Sequence, residues 1–412
     1  MRAPEGWRSV RLKDIAFHVT EKWEPGEGGN YPYIGLENIG QGTGTVLGIQ
    51  KSEGISSIKT KFSQNDVLFG KLRPNLRKTA CVNFSGIAST DIIVLRAIEK
   101  IEPKFLFFIV NEESFFSLAV RSAAGTKMPR TSWNLLGEYP ISIPPLSEQR
   151  RIAEILSSVD EAIEATQAVI EQTRTVKQGV LNRLLTKGIG HTRFKKTEIG
   201  TIPEKWTVAP LKTVAHVQTG AAKGKKDIDN PVELPYLRVA NVQDGHIDLT
   251  TVKTITVSAS QIERYSLQVG DVLMTEGGDF DKLGRGDVWR GQISPCLHQN
   301  HVFAVRPNPD VLMPEFLTIL TGSSYGKSYF LSCAKQTTNL ASINSTQVKD
   351  FPVLLPDRDE QEKIVAVVQA LSKAEQSAQN SLEKTMNIKS ALLSDLLTGR
   401  KRVPAALLTS AE

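Results

Sequence analysis

Cysteine is scarce in this chain: Cys81, Cys296 and Cys333 are the only three among 412 residues, and no two form a CxxC pair. That scatter excludes a disulfide framework and a cysteine-based zinc site, and it suits a reducing compartment. Long apolar runs are missing too. The longest, Phe105 to Val110, is far too short to span a bilayer, and the opening MRAPEGW lacks the apolar core of a secretion signal. A cytoplasmic location with no membrane partner is expected. No low-complexity tract interrupts a composition of 40% hydrophobic and 23% charged residues, so extended disorder is expected only after Gly399.

Enzymatic signatures are equally thin. GSSYGKS, Gly322 to Ser328, departs from the phosphate-loop pattern at Thr321, where the backbone cradle needs glycine. The Asn-Pro-Pro-aromatic tetrad of amino-methyltransferases does not occur, since SIPPL (Ser142 to Leu146) lacks both its asparagine and its aromatic. LLPDRDEQEK carries carboxylates without the acid-x-lysine of a nuclease metal site, and helix capping accounts for them. CLHQNH holds Cys296, His298 and His301. In an extended segment Cys296, His298 and Asn300 point one way and His301 the other, so three metal ligands do not converge without a bulge. Polar contacts to a ligand from one sheet face are the better expectation. No nucleophile, base and orienting partner assemble in a recognisable arrangement. Neither a catalytic residue nor a metal site is expected.

What the chain does have is itself, twice. PEGW at Pro4 matches PEKW at Pro203, an offset of 199. YPYIGLENIGQG from Tyr31 matches LPYLRVANVQDG from Leu234 at 203, and NDVLFG from Asn65 matches GDVLMT from Gly270 at 205. From about Thr126 the offset locks at 212, pairing Tyr139 with Phe351, Pro144 with Pro356, Glu148 with Glu360, Gln149 with Gln361 and Leu185 with Leu397. Loops accept insertions at little entropic cost, whereas one extra residue in a helix turns all that follows by about 100°. The drifting part therefore reads as loops and strands, and the locked part as helix.

Steps of four and three from Ile152 pick out Leu156, Val159, Ile163, Thr166, Ile170, Thr173, Lys177, Val180 and Leu184. The same steps from Ile364 pick out Val368, Leu371, Glu375, Ala378, Leu382, Thr385, Lys389, Leu392 and Leu396. A seam of period 3.5 predicts helix packed on helix. Ser147 and Asp359 read as N-caps, Asp359 with Glu362 as a capping box, and Gly188 and Gly399 as helix ends. The polar seam positions, among them Lys177 and Lys389, leave two readings open: lysines snorkelling at an edge, or polar residues that fix register.

The expected class is α+β: two repeated, strand-rich α+β domains separated by two long antiparallel coiled-coil helices, with pseudo-two-fold symmetry. Its parts are 1–145, first domain; 146–188, first spacer helix; 189–356, second domain; and 357–412, second spacer helix and tail. Sheet order is not derivable. A seam of roughly 33 residues would reach about 50 Å at about 1.5 Å per residue, an upper scale of about 15 base pairs at about 3.4 Å each. Two readers on a stiff spacer suit a two-part DNA site, with half-sites that differ because the domains have diverged.

Charge supports that partner. The net charge is +6, and Lys61 to Ala80 holds five basic residues against the single acid Asp66. The candidate reading loops of the first domain are GKLRPNLRK, with Lys71, Arg73, Asn75, Arg77 and Lys78, and GTKMPRTSWN, with Lys127 and Arg130. Those of the second are GAAKGKK, with Lys223, Lys225 and Lys226, and GGDFDKLGRGDVWR, with Lys282, Arg285 and Arg290, joined by His298 and Asn300. Arginine and asparagine can make bidentate contacts to guanine and adenine edges, while lysine mainly neutralises phosphate.

Taken together, IPPLSEQRRIAEIL and LLPDRDEQEKIVAVV, the helix ends LNRLLTKG and LSDLLTGR, the starts PEGW and PEKW, and the loops FGKLRPNLRK and LHQNHVFAVRP resemble the specificity subunit of type I restriction-modification systems. The resemblance covers nearly the whole chain in the family's order. It implies a subunit that binds double-stranded DNA without catalysing anything. Two methylation subunits, and restriction subunits as a further partner class, would carry S-adenosylmethionine, ATP and Mg2+, so no cofactor is expected on this chain. It also implies that the helices, Ser147 to Thr186 and Asp359 to Thr398, set the spacer and dock the methylation subunits. Base-reading residues do not carry over. The competing hypothesis is a stand-alone two-headed DNA-binding or scaffold protein without an enzyme partner.

Overall fold

The computed structural model describes residues 3–26, 29–223, 228–278, 280, 283–337 and 340–404. It divides into two compact units: Met1–Ala168 with Gln379–Glu412, and Val169–Ala378. Both are built on one plan.

Each unit centres on a four-stranded antiparallel sheet. In the first its order is Ala16–His18, Ile92–Ala97, Val67–Gly70, Thr79–Cys81; in the second, Ala215–Thr219, Val302–Pro307, Val272–Thr275, Gly286–Val288. The central strands read as unbroken apolar runs because both faces of the sheet are covered. Ile93 and Leu95 face one core with Val67 and Phe69, while Ile92 and Val94 face another with Leu68. Phe303 and Val305 divide from Val302 and Ala304 in the same way, as the two-residue period of a strand requires. One face is packed by a helix pair, Pro103–Val110 with Glu113–Arg121, or Pro314–Gly322 with Ser324–Cys333. Phe69, Phe105, Phe108 and Phe115 are fully buried there, each contributing about 2 kcal/mol relative to exposure. The other face meets a second sheet containing a parallel pair, Pro32–Ile34 with Gly86–Ala88 and Pro231–Leu237 with Leu297–His298.

GSSYGKS proves to be a helix junction. The Ser323 side chain accepts from Gly326 N, and a Cβ on Gly326 would stand 2.3 Å from Thr321 O, so glycine is needed for close packing.

The repeated aspartates of NDVLFG and GDVLMT are buried ion-pair centres. Asp66 accepts from Arg96 at 2.7 Å on both oxygens, and Asp271 from Arg306 at 2.7 and 2.9 Å. Each also accepts a backbone N–H three residues before it, from Ser63 and from Gln268. Such fully satisfied pairs cost several kcal/mol to break by removing one partner.

The long helices run Leu146–Lys187 and Arg358–Leu397. Every seam residue named from the sequence is buried or half-buried, and most of the residues between them are exposed. Within the first unit Ile152 and Leu156 share a core with Leu396 and Leu397, and Lys389 Nζ meets Asp160 at 2.5 Å. Within the second, Leu185 shares a core with Ile364, and Lys177 Nζ meets Glu375 at 3.2 Å. In each unit the helix segments are antiparallel, and both seam lysines end on carboxylates of the facing helix.

The caps differ from expectation. Both helices start before Ser147 and Asp359, and the capping carboxylate is Asp357, which accepts from Glu360 N at 2.9 Å. Asp357 lies two residues nearer the sheet and meets the free N–H groups of the first turn. Glu362 pairs with Arg358 instead of reaching back. Gly188 and Gly399 follow the helices with φ of 62° and 66°, as their reading as helix ends requires.

Candidate nucleic-acid interface

In the first unit the strand Val67–Gly70 runs into the loop Lys71 to Lys78. Arg73 and Arg77, both at φ 49°, bracket a turn led by buried Pro74. A left-handed conformation costs a side-chain-bearing residue about 1 kcal/mol. Arg73 N donating to Pro129 O at 2.7 Å, and Arg77 O accepting from Gly42 N at 3.0 Å, hold it in place. The second candidate loop crosses this one: Leu72 bridges to Arg130, and Thr131 N donates to Lys71 O. The two loops chosen from sequence thus form one surface.

Its side chains divide by commitment. Arg77 pairs with Glu113 and lies 5.1 Å over the Phe116 ring, and Lys78 Nζ donates to Leu36 O at 2.6 Å. These two serve the fold. Arg73, Asn75 and Lys127 are exposed, Lys71 is half-buried, and Arg130 is held by Asp91 at 2.8 Å.

In the second unit Ala221 N donates to His298 O, and Asn300 N to Ala221 O. A Cβ on Gly220 would stand 2.0 Å from His298 O, so only glycine lets this segment approach. Lys223 is exposed, whereas Lys225, Lys226 and Lys282 lie outside the described residues. Arg290 pairs with Asp287 at 2.9 Å. Arg285 is half-buried, and its carbonyl accepts from Thr275 N. Gly277 and Gly278 pair with Ser342 and Ala341, which pair in turn with Lys335 and Gln336. Lys335–Gln336 and Ala341–Ser342 are therefore the counterparts of residues 123–124 and 129–130, a segment the sequence reading passed over although the offset of 212 marks it.

His298 does not belong to a reading surface. It is 1% exposed, its Nδ1 faces Tyr265 O at 3.2 Å, and burial pushes its imidazole down to about 4. Cys296 is buried as well, its thiol pushed up to about 12. The strand here is only Leu297–His298 and is covered on both sides, so the expected open face does not exist. Among the described residues no group of three or more His, Cys, Asp or Glu is placed to hold a metal.

The repeated Glu-Gln pair has a role that sequence reasoning missed. Glu148 accepts from Trp7 Nε1 at 3.2 Å and from Arg402 Nε and Nη2, each at 2.8 Å. Glu360 accepts from Trp206 Nε1 at 2.9 Å and Ile189 N at 2.7 Å, and meets His191 Nε2 at 2.9 Å. Gln149 and Gln361 bind equivalent loops, taking Glu102 N and Met313 N and donating to the carbonyls of Pro144 and Pro356. Each long helix thus begins with a latch that fastens the tryptophan-bearing start of its unit.

With this geometry in view, known proteins give a consistent match. Residues 4–173 and 203–384 match the family described as type I restriction modification DNA specificity domain. The chain belongs to this family. Among its relatives, the type I restriction enzyme MjaVIII specificity subunit of Methanocaldococcus jannaschii is 27% identical over 98% of this chain and 95% of its own. The EcoKI specificity subunit of Escherichia coli K12 is 28% identical over 63% of this chain and 57% of its own. Among solved structures, a chain from a study of type I R-M complex assembly and conformational transition aligns with a TM-score of 0.61, at 21% identity over 97% of this chain and all of that one. The type I S subunit from M. genitalium aligns at 0.57, with 14% identity over 96% and 98%. These structures share the fold of this specificity protein, and the relatives do not favour the stand-alone reading. Among the described residues no helix is long and apolar enough to cross a membrane.

Proposed function

We propose that this chain is the non-catalytic DNA-specificity subunit of a type I restriction-modification complex, each unit reading one half of an asymmetric two-part double-stranded site. The observation that carries the reading is the duplication. Two family matches fall on two units of one plan, and each unit brings separate loops of the sequence into one polar, partly basic surface. Arg73, Asn75, Lys127 and Arg130 in the first, and Lys223, Arg285, Arg290 and Asn300 in the second, are the reading or phosphate-neutralising groups. Of the other candidates, Lys71 joins the phosphate set, Arg77 and Lys78 act through the fold, and His298 is withdrawn. Methylation subunits, and restriction subunits where present, dock on the long helices. Away from the seam these helices expose Val169, Val176, Val367, Met386 and Ile388, an apolar display suited to protein partners. The partners would hold S-adenosylmethionine, ATP and Mg2+.

The test is coexpression with its methylation subunit, followed by mapping of modified adenines. A motif of two unlike blocks around a fixed gap is expected. A single unbroken motif, or methylation by the purified chain alone, would overturn the proposal.

A further inference from the structure

The two units differ most in chemistry at a point where their backbones agree. Lys71 N donates to Asp91 O at 2.9 Å, and Lys71 O accepts from Thr131 N at 3.1 Å. In the second unit Glu276 N donates to His301 O at 3.0 Å, and Glu276 O accepts from Ile343 N at 2.8 Å. The bridge from Leu72 to Arg130 has its counterpart in the pairing of Gly277 with Ser342. Lys71, Asp91 and Arg130 thus stand at the backbone positions of Glu276, His301 and Ser342. A base, an acid and a base in one unit correspond to an acid, an imidazole and a hydroxyl in the other.

The side chains at this junction are oriented, and they are open to solvent. Asp91 takes Arg130 Nε at 2.8 Å and Nη2 at 3.3 Å, and Met128 O takes Nη1 at 3.3 Å. One N–H on each terminal nitrogen is left over from these bonds, two donors of the kind that complement guanine O6 and N7. The Arg130 side chain is 41% exposed against 25% for Asp91, so the arginine is the outward member. In the second unit the Glu276 carboxylate faces His301 Nδ1. With the Glu276 carboxylate accepting, Nδ1 is the donor, and in the neutral ring Nε2 then accepts from Asn300 Nδ2 at 3.3 Å. That chain holds the Asn300 carboxamide with its oxygen and second N–H uncommitted, the pair that complements adenine N6 and N7.

We propose that this junction sets one base of each half-site: Arg130, held by Asp91, reads a guanine, and Asn300, positioned through Glu276 and His301, reads an adenine. The proposal rests on the reading of the chain as a DNA-specificity subunit. Asp91, Glu276 and His301 are positioning residues; Asp91 and Glu276 were absent from the sequence candidates and His301 was weighed only as a metal ligand, because nothing local marks a side chain that acts by holding another.

The test uses the full chain coexpressed with its methylation subunit and maps modified sites for wild type, Arg130→Lys, Arg130→Gln, Asn300→Ala and His301→Ala. For the arginine variants we expect one G·C position of one half-site to relax, with discrimination there falling on the order of tenfold or more and the other half-site unchanged. For Asn300→Ala and His301→Ala we expect one A·T position of the other half-site to relax. A purely structural role would not confine a change to one base pair. Unchanged motifs in assembled complexes, a uniform fall at all sites with the motif intact, or relaxation at a different base pair would each overturn the assignment. If Arg130→Gln fails to assemble, Arg130→Lys keeps the charge and decides the point. A wild-type complex lacking a two-part motif would instead sink the underlying reading, so the two failures are distinguishable.

Discussion

Comparing the two units separates what the fold requires from what differs between the two proposed reading surfaces. Several polar or aromatic residues that both units share lie inside: Trp7 and Trp206, Asp66 and Asp271, Glu148 and Glu360, Gln149 and Gln361 are all buried. Where their chemistry diverges most, at Lys71 against Glu276 and Asp91 against His301, the backbone hydrogen bonds are the same and the side chains reach solvent. Burial fixes a polar residue because an unmatched buried group costs free energy; an exposed position on a matched backbone is free to change. A protein that must keep one scaffold and read two sequences needs this division.

The latches give the largest effect with which to break the comparison. Both use a buried glutamate, yet their partners differ in access to water. Arg402 is 41% exposed and can turn outward when its carboxylate is lost, whereas Trp206 is fully enclosed and Ile189 N is backbone. Glu360→Ala should therefore destabilise the second unit by about 4 kcal/mol, and Glu148→Ala the first by about 2 kcal/mol. Urea unfolding followed by tryptophan fluorescence checks this, and equal or reversed costs would show that the latches are not graded by access.

A second difference is the buried imidazole. The second unit places His298 opposite Leu237 where the first has Ala88 opposite Ile34. Above pH 6.5 His298 is neutral in both folded and unfolded chains and contributes no slope. As the pH falls, the unfolded chain takes a proton that the buried ring refuses until about 4. Stability of the second unit should fall through that window by on the order of 3 kcal/mol. His18 of the first unit shifts in the same direction, through its own burial and Lys71, but is only half-buried. Acid titration should thus loosen the second unit before the first, and His298→Asn should remove most of the difference. Identical acid melting of wild type and variant would rule this out.

Much of the architecture was legible because helices and repeats leave regular marks. A seam at period 3.5 and an offset locked at 212 require no knowledge of tertiary contacts, and the seam residues are the shielded ones. The latch was half legible. PEGW, PEKW and the Glu-Gln pairs stood out as repeats, but the bond from Trp7 to Glu148 spans 141 residues, and no local pattern announces it. His298 was misread because alternation tells which residues share a face, not whether that face is covered. The capping carboxylate was misplaced by two residues because Asp357 and Asp359 are equally good caps until the helix start is known. At the proposed reading surface the arginines and asparagine were visible by type, while Asp91 and Glu276, the acids placed to orient them, lie far from them in the sequence.

The smallest predicted effect sharpens the comparison along the long helices. Lys177 and Lys389 occupy matching seam positions, but their carboxylates are not equally provided for. Glu375 also binds Arg174 at 2.8 Å, and these bonds hold its carboxyl below the usual range. Burial raises the Asp160 carboxyl despite Lys389, its only ion-pair partner among the described residues. Lys389→Leu should therefore cost the first unit about 1 kcal/mol at neutral pH, and Lys177→Leu the second close to nothing. The sign of the pH dependence follows from the raised Asp160 value: the folded chain binds its proton more readily than the unfolded one, so acidification favours the folded state. The deficit of Lys389→Leu against wild type should shrink as the pH falls toward 4, the ordinary carboxylate range. Paired melts at pH 7 and pH 4.5 measure it. A deficit independent of pH would mean that the lysine contributes through the packing of its stem, and an equal deficit in both variants would mean that Arg174 does not stand in for Lys177.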